Sequence, residues 1–189
     1  QIYAWIILKV CGIRLKVRGR ENIEPGQRYV ILSNHASYLD PPALVLALGL
    51  QYRWVIKKEL RKVPLFGLAL EASRNLFIDR SKGSDALESI KRGVGQLPDG
   101  TGILIFPEGT RSWDGKLLPF KKGGFVIAQD GELPILPVTI CGSHQRLPKG
   151  SAAFSSGDIE IVIHPPMASG ALPLDDLMTD VRNSIASSL

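Results

Sequence analysis

Seven short runs rich in β-branched and aromatic residues, at 13–17, 29–32, 54–57, 75–78, 102–106, 135–140 and 159–163, alternate along much of the chain with segments of helical spacing. In 84–97, Ala86, Leu87, Ile90, Val94 and Leu97 share one helix face, and near the C-terminus Leu174, Leu177, Met178, Val181, Ile185 and Leu189 do the same. Residues 42–50 are apolar nearly all round, which predicts a helix that is buried or faces lipid; 120–130 is a shorter helix candidate. Strands alternating with helices predict a single α/β layered domain, its largely parallel but mixed sheet flanked by helices. A chain of 189 residues is long enough to bury a real core.

Two polar strings interrupt this apolar background. The first, Asn34-His35-Ala36-Ser37-Tyr38-Leu39-Asp40, follows the run 29–32 directly, and Pro41-Pro42 opens the helix after it. A residue before proline is pushed out of the α region, so Asp40 and Pro41 are expected to be extended, with the helix starting at Pro42. Within a helix, residues five apart point about 140° away from each other; across a strand-to-helix turn they can meet. Asp40 then accepts a hydrogen bond from one imidazole nitrogen of His35 and leaves the other free as a base. The second string, Phe106-Pro107-Glu108-Gly109-Thr110-Arg111-Ser112, lies just past the run 102–106, which Pro107 stops. Open α/β sheets bind ligands in such loops, at the carboxyl ends of strands. Arg111 suits a phosphate gripped through two parallel hydrogen bonds. Gly109 permits backbone approach, and Glu108 can accept a hydrogen bond from a substrate hydroxyl. The plainer alternative is a turn in which Glu108 and Arg111 pair with each other.

Together the two strings resemble the signature of the glycerolipid acyltransferases, in particular the lysophosphatidic acid acyltransferases (1-acyl-glycerol-3-phosphate O-acyltransferases). The resemblance implies a glycerolphosphate acyltransferase-like fold, a catalytic pair His35 and Asp40, and substrate binding by Glu108, Gly109, Thr110 and Arg111. By the same resemblance, the segment from Lys57-Lys58-Glu59-Leu60 to Pro64-Leu65-Phe66-Gly67 matches an intermediate block, with Lys57 a second phosphate ligand. Phe77-Ile78-Asp79-Arg80 matches another, with Arg80 a third. Leu133-Pro134-Ile135-Leu136-Pro137-Val138 matches the last, read as a buried structural strand.

The activity so implied moves a fatty acyl group from acyl-CoA or acyl-carrier protein to the free hydroxyl of lysophosphatidic acid, giving phosphatidic acid for phospholipid synthesis. A thiol leaving group has a pKa of about 8.5, so it departs as thiolate with little protonation, and direct transfer without an acyl-enzyme is expected. No Gly-x-Ser-x-Gly elbow is present to supply a nucleophile. Apolar residues of 42–50 and 65–70 are candidates for lining an acyl tunnel and equally for the core. No cofactor is expected beyond the donor. His35, His144 and His164 lack any HxH or HExxH spacing, so no metal is expected either. The nearest rival keeps the chemistry and changes the acceptor, to glycerol 3-phosphate, another lysophospholipid or an amino-acid lipid. A non-catalytic lipid-binding protein is a rival of another class, disfavoured because binding alone needs no base.

The net charge of +5 sits at one end. Residues 1–20 hold five of the 23 basic residues, Lys9, Arg14, Lys16, Arg18 and Arg20, and no acid, leaving 18 bases against 18 acids elsewhere. These cations adjoin the apolar stretch Ile2-Tyr3-Ala4-Trp5-Ile6-Ile7-Leu8, which is too short to span a bilayer. Apolar and aromatic residues followed by cations predict a segment, 1–12, lying in the headgroup layer of an anionic membrane, ahead of an acyltransferase domain at 13–189. The alternative is a helix docked on the domain's own core. A signal peptide is disfavoured, since its basic region precedes the apolar run. The start at Gln1 is compatible with an anchor upstream. Two isolated cysteines, Cys11 and Cys141, fit a reduced, cytosol-facing protein, hence membrane association on the cytoplasmic face. A nucleic-acid partner is not expected, because the positive excess is confined to twenty residues without a binding motif. Neither GxxxxGK[ST] nor GxGxxG is present to bind a nucleotide.

Overall fold

The computed structural model describes residues 1–64, 66–79 and 83–189, and all seven strand-like runs form strands there. β1 (Ile13–Arg18), β2 (Val30–Ser33), β3 (Tyr52–Lys57), β4 (Leu76–Ile78), β5 (Gly102–Ile105), β6 (Ile135–Cys141) and β7 (Gly157–Ile163) assemble in the order β1-β7-β6-β2-β5-β3-β4. From β6 to β4 the strands are parallel, β7 is antiparallel to β6, and β1 runs parallel to β7. The sheet is therefore largely parallel with one reversed edge pair, the expected mixed α/β architecture.

Alternation along the strands builds two cores. On one face Ile31, Leu104, Leu136, Val138, Ile159 and Ile161 meet α1 (Ile2–Val10) and α2 (Asp40–Ala47) through Leu8, Ala43, Leu44 and Ala47. On the other, Val30, Leu32, Ile103 and Ile135 meet α4 (Gly83–Gly95), α5 (Gly123–Asp130) and α7 (Leu174–Ala186) through Val94, Phe125, Val181 and Ile185. Covered on both faces, β2 is buried at every residue. Two further helices, α3 (Phe66–Ala72) and α6 (Ser143–Arg146), were not marked by any clear periodicity.

The start of α2 differs from expectation: the helix begins at Asp40, not Pro42. The first four amides of a helix have no intrahelical partner, so Pro41 and Pro42 in the first turn lose no hydrogen bond. The preference against α conformation before proline is outweighed by the bonds the Asp40 carboxylate makes once it stands in that turn.

The N-terminal segment is a helix docked on the domain by one face only. It forms α1, whose Ala4 and Leu8 are buried against α2 and the core, while Ile2, Tyr3, Trp5, Ile6 and Val10 remain exposed. The cations after it are less free than the sequence suggests. Arg14 and Lys16 both pair with Asp158 at 2.6 Å, and Arg18 pairs with Glu160 at 2.7 Å, because β1 lies beside β7. Among the described residues no helix is long and apolar enough to cross a membrane.

Candidate active site

β2, β5, β3 and β6 are parallel, so their carboxyl ends share one edge of the sheet, and both polar strings start there. Asn34, the first residue beyond β2, is buried and uses both ends of its side-chain amide. Nδ2 donates to the Ile140 carbonyl at 2.9 Å and Oδ1 accepts the Ile140 amide at 2.8 Å. The side chain thus stands in for a strand partner just past the last β2–β6 pair, Ser33 and Val138, and releases the chain from the sheet at His35.

His35 and Asp40 meet across the turn. Oδ2 of Asp40 lies 2.7 Å from Nδ1 of His35 and accepts the amides of Ala36 and Ser37 at 2.8 Å each. Three donors converging on one fully buried oxygen fix the carboxylate against the loop and the ring against the carboxylate. This network assigns the ring proton to Nδ1 and leaves Nε2 with its lone pair and, among the described residues, no hydrogen-bond partner. Phe106, one residue past β5, stacks on the imidazole with centroids 3.9 Å apart and planes 7° from parallel. The ring is held by an edge and a face, and its side chain is 17% exposed.

The second string grips the backbone of the first. Glu108 Oε1 accepts the His35 amide at 2.7 Å, and the Ser112 amide donates to the His35 carbonyl at 2.8 Å. Glu108 Oε2 accepts the Leu118 amide at 2.9 Å. The turn that makes this possible closes from the Gly109 amide to the Phe106 carbonyl at 3.0 Å, with Gly109 at φ +72°, a conformation that glycine adopts without strain. Burial pushes the Glu108 carboxyl up to about 7, against the lowering effect of the two amides.

Each oxygen of Glu108, the residue expected to accept a substrate hydroxyl, accepts one backbone amide, so the side chain braces the loop beneath His35 and keeps further acceptor capacity. Nor does it pair with Arg111. The Arg111 guanidinium lies 3.5 Å above the Tyr38 ring, its Nη1 is buried without a partner, and among the described residues no carboxylate reaches it. The Thr110 hydroxyl faces Lys149 Nζ at 3.2 Å. Lys57 is exposed at the carboxyl end of β3, on the same sheet edge, and makes no ion pair among the described residues. Arg80 lies outside the described residues.

A cavity of about 220 Å³ opens beside the second string, between the sheet and helices α4 and α5. Val55, Ile78, Leu87, Ile105 and Ile127 line its wall, and Phe106 and Gly109 stand at its edge. The apolar helix α2, a candidate for an acyl tunnel or for the core, packs into the opposite core through Ala43, Leu44 and Ala47. Reading the sequence missed Phe106 as the platform of the histidine, Tyr38 as that of the arginine, and Lys149 altogether. The two aromatics stand inside the strings and were open to notice. Lys149 is 38 residues from Arg111, in a segment without a motif.

Residues 14–141 match the family described as Acyltransferase. The chain belongs to the acyltransferase family. Over 175 residues it is 34% identical to a chloroplastic 1-acyl-sn-glycerol-3-phosphate acyltransferase of Brassica napus, covering 92% of this chain and 50% of that protein. Over 179 residues it is 35% identical to 1-acyl-sn-glycerol-3-phosphate acyltransferase alpha of Homo sapiens, covering 92% and 63%. The chain thus spans between half and two thirds of the length of these relatives. The crystal structure of the 1-acyl-sn-glycerophosphate acyltransferase PlsC from Thermotoga maritima superposes with a TM-score of 0.84 at 28% identity, over 99% of this chain and 75% of that one. The resemblance carried by the two polar strings is borne out by these matches.

Proposed function

We propose that this member of the acyltransferase family transfers a fatty acyl group from a thioester, acyl-CoA or acyl-carrier protein, to the free hydroxyl of 1-acyl-glycerol 3-phosphate, forming phosphatidic acid. One observation carries the reading: an imidazole braced through Nδ1 at 2.7 Å, on a loop tied to a guanidinium, with Nε2 unengaged and the guanidinium without a carboxylate partner among the described residues.

The chemistry follows from that arrangement. Nε2 of His35 takes the hydroxyl proton as the acceptor oxygen bonds to the thioester carbonyl carbon. Asp40 holds the ring in the right tautomer and stabilises the imidazolium that forms. Collapse of the tetrahedral oxyanion breaks the C–S bond, and the sulfur leaves as thiolate or recovers the proton from the imidazolium. No residue becomes acylated, and no cofactor is needed. Arg111, flat on Tyr38 with Nη1 unspent, suits the acceptor's phosphate, and Lys57 and Arg80 are further phosphate ligands on family resemblance. The apolar cavity beside Gly109 suits an acyl chain.

The exposed face of α1, with Ile2, Tyr3, Trp5, Ile6 and Val10, suits insertion into the interfacial layer of a membrane, where both the acceptor and the product reside. Since three of the nearby cations are already paired on β7, apolar burial rather than charge supplies most of that attachment. The test is to mix the chain with acyl-CoA or acyl-carrier protein and a panel of acceptors, and to follow thiol release. Release that depends on lysophosphatidate is expected. Release only with glycerol 3-phosphate or a phosphodiester lysolipid moves the acceptor, and no release with any pair overturns the reading.

A further inference from the structure

A second cation reaches Arg111 from outside the motifs. Lys149 Nζ donates to the Arg111 carbonyl at 2.8 Å and to the Thr110 hydroxyl at 3.2 Å, and lies 4.5 Å over the Trp113 ring. All three partners are neutral. Among the described residues no carboxylate comes within ion-pair distance of Lys149 or Arg111. Elsewhere the molecule pairs cations readily, as Arg14, Lys16, Arg18, Lys91 and Lys122 show.

The placement of Lys149 is built into the loop. The Leu147 carbonyl accepts the Ser37 hydroxyl at 2.8 Å, which fastens the segment to the turn between His35 and Asp40. Gly150 has φ +84°, and a Cβ there would stand 2.9 Å from the Trp113 ring, so only glycine lets the chain turn while Lys149 lies on that ring. Three segments therefore converge at one point: the His35 loop with Tyr38, the 106–112 string, and 147–150. An ammonium has three donors; among the described residues two of those on Lys149 are spent and the third has no partner. Arg111 keeps Nη1 unspent.

We propose that Lys149 is a phosphate ligand, and that with Arg111 it forms a two-cation subsite selecting a phosphate monoester on the acceptor. The proposal rests on the acyl-transfer reading above. A phosphate monoester carries about −1.5 to −2 charges at neutral pH and a phosphodiester a single one, so a second cation beside Arg111 strengthens binding of the monoester more. The subsite thus favours lysophosphatidate over lysolipids with esterified head groups. CoA also carries a phosphate monoester, on its ribose, so the test separates the two sources.

Three forms of the chain are compared: wild type, Lys149→Gln, which keeps donors for the carbonyl and hydroxyl but removes the charge, and Lys149→Arg. In Lys149→Gln the KM for lysophosphatidate rises at least tenfold, the preference for monoester over phosphodiester acceptor narrows, and the KM for acyl-CoA holds. Lys149→Arg recovers the acceptor KM to within threefold. An unchanged acceptor KM in Lys149→Gln makes the lysine a mere loop tie and overturns the proposal. A rise in the acyl-CoA KM that disappears with acyl-dephospho-CoA assigns the subsite to the donor and overturns it too. Binding is read separately from turnover by titrating lysophosphatidate while following Trp113 fluorescence, with Trp113→Phe as the blank. A saturable change in wild type, absent from Lys149→Gln, supports the subsite even where thiol release fails and the acyl-transfer reading falls. No change in either form overturns it.

Discussion

Glutamine at position 108 separates what the buried carboxylate does for the site from what it does to stability. Burial moves the Glu108 carboxyl from 4.5 up to about 7, about 2.5 pH units, which corresponds to about 3 kcal/mol. The sign follows from proton counting. Between pH 4.5 and 7 the folded chain keeps a proton that the unfolded chain has released, so stability falls as pH rises through that window. The contribution is fully present below pH 4.5 and lost above 7. Glu108→Gln has no proton to release there. Its stability relative to wild type is therefore expected to improve by about 3 kcal/mol between pH 4.5 and pH 8. Activity moves the other way. A glutamine oxygen accepts one amide while its NH2 faces the other, so the His35 or Leu118 amide loses its partner and the loop carrying the imidazole loosens. Urea titrations of both proteins at the two pH values, with m-values checked for equality, measure the first effect; thiol release measures the second. A stability difference that is the same at both pH values refutes the reasoning.

Asn34→Ala strips the Ile140 amide and carbonyl of their partners and is expected to lower stability by about 2–4 kcal/mol, read as a fall in Tm of about 5–15 °C by calorimetry. Asp40→Asn leaves the turn with an acceptor but removes the charge that fixes the imidazole tautomer, so kcat should fall about 10²–10⁴-fold in the acyl-transfer assay. Trp5→Glu places a charge on the exposed face of α1; folding stability should move by no more than about 0.5 kcal/mol, while cosedimentation with phosphatidylglycerol vesicles should weaken at least tenfold.

The sheet was legible because each strand is a compact apolar run closed by polar or turn-forming residues, and burial on both faces leaves such runs little choice of partner. The His35–Asp40 contact was legible for a different reason: five residues across a strand-to-helix turn bring side chains together, whatever residue begins the helix. The same local logic erred at Asp40, where the bias before proline gave way to three hydrogen bonds converging on Oδ2. Glu108 shows the limit more clearly. The local candidates were a substrate hydroxyl or Arg111; the partners it has are amides 73 and 10 residues away, and only the packed sheet edge brings them together. Long-range pairing likewise sets the three cations of β1 against two carboxylates of β7, which no count over the first twenty residues could foresee.

His35→Ala, assayed for thiol release from acyl-CoA with lysophosphatidate, puts the proton-transfer claim to the shortest test. Circular dichroism and Tm should match wild type within a few degrees while turnover drops by at least a hundredfold at saturating substrates. Turnover within tenfold of wild type in a folded variant would mean that some other group draws the proton, and the role given to the braced imidazole would be wrong.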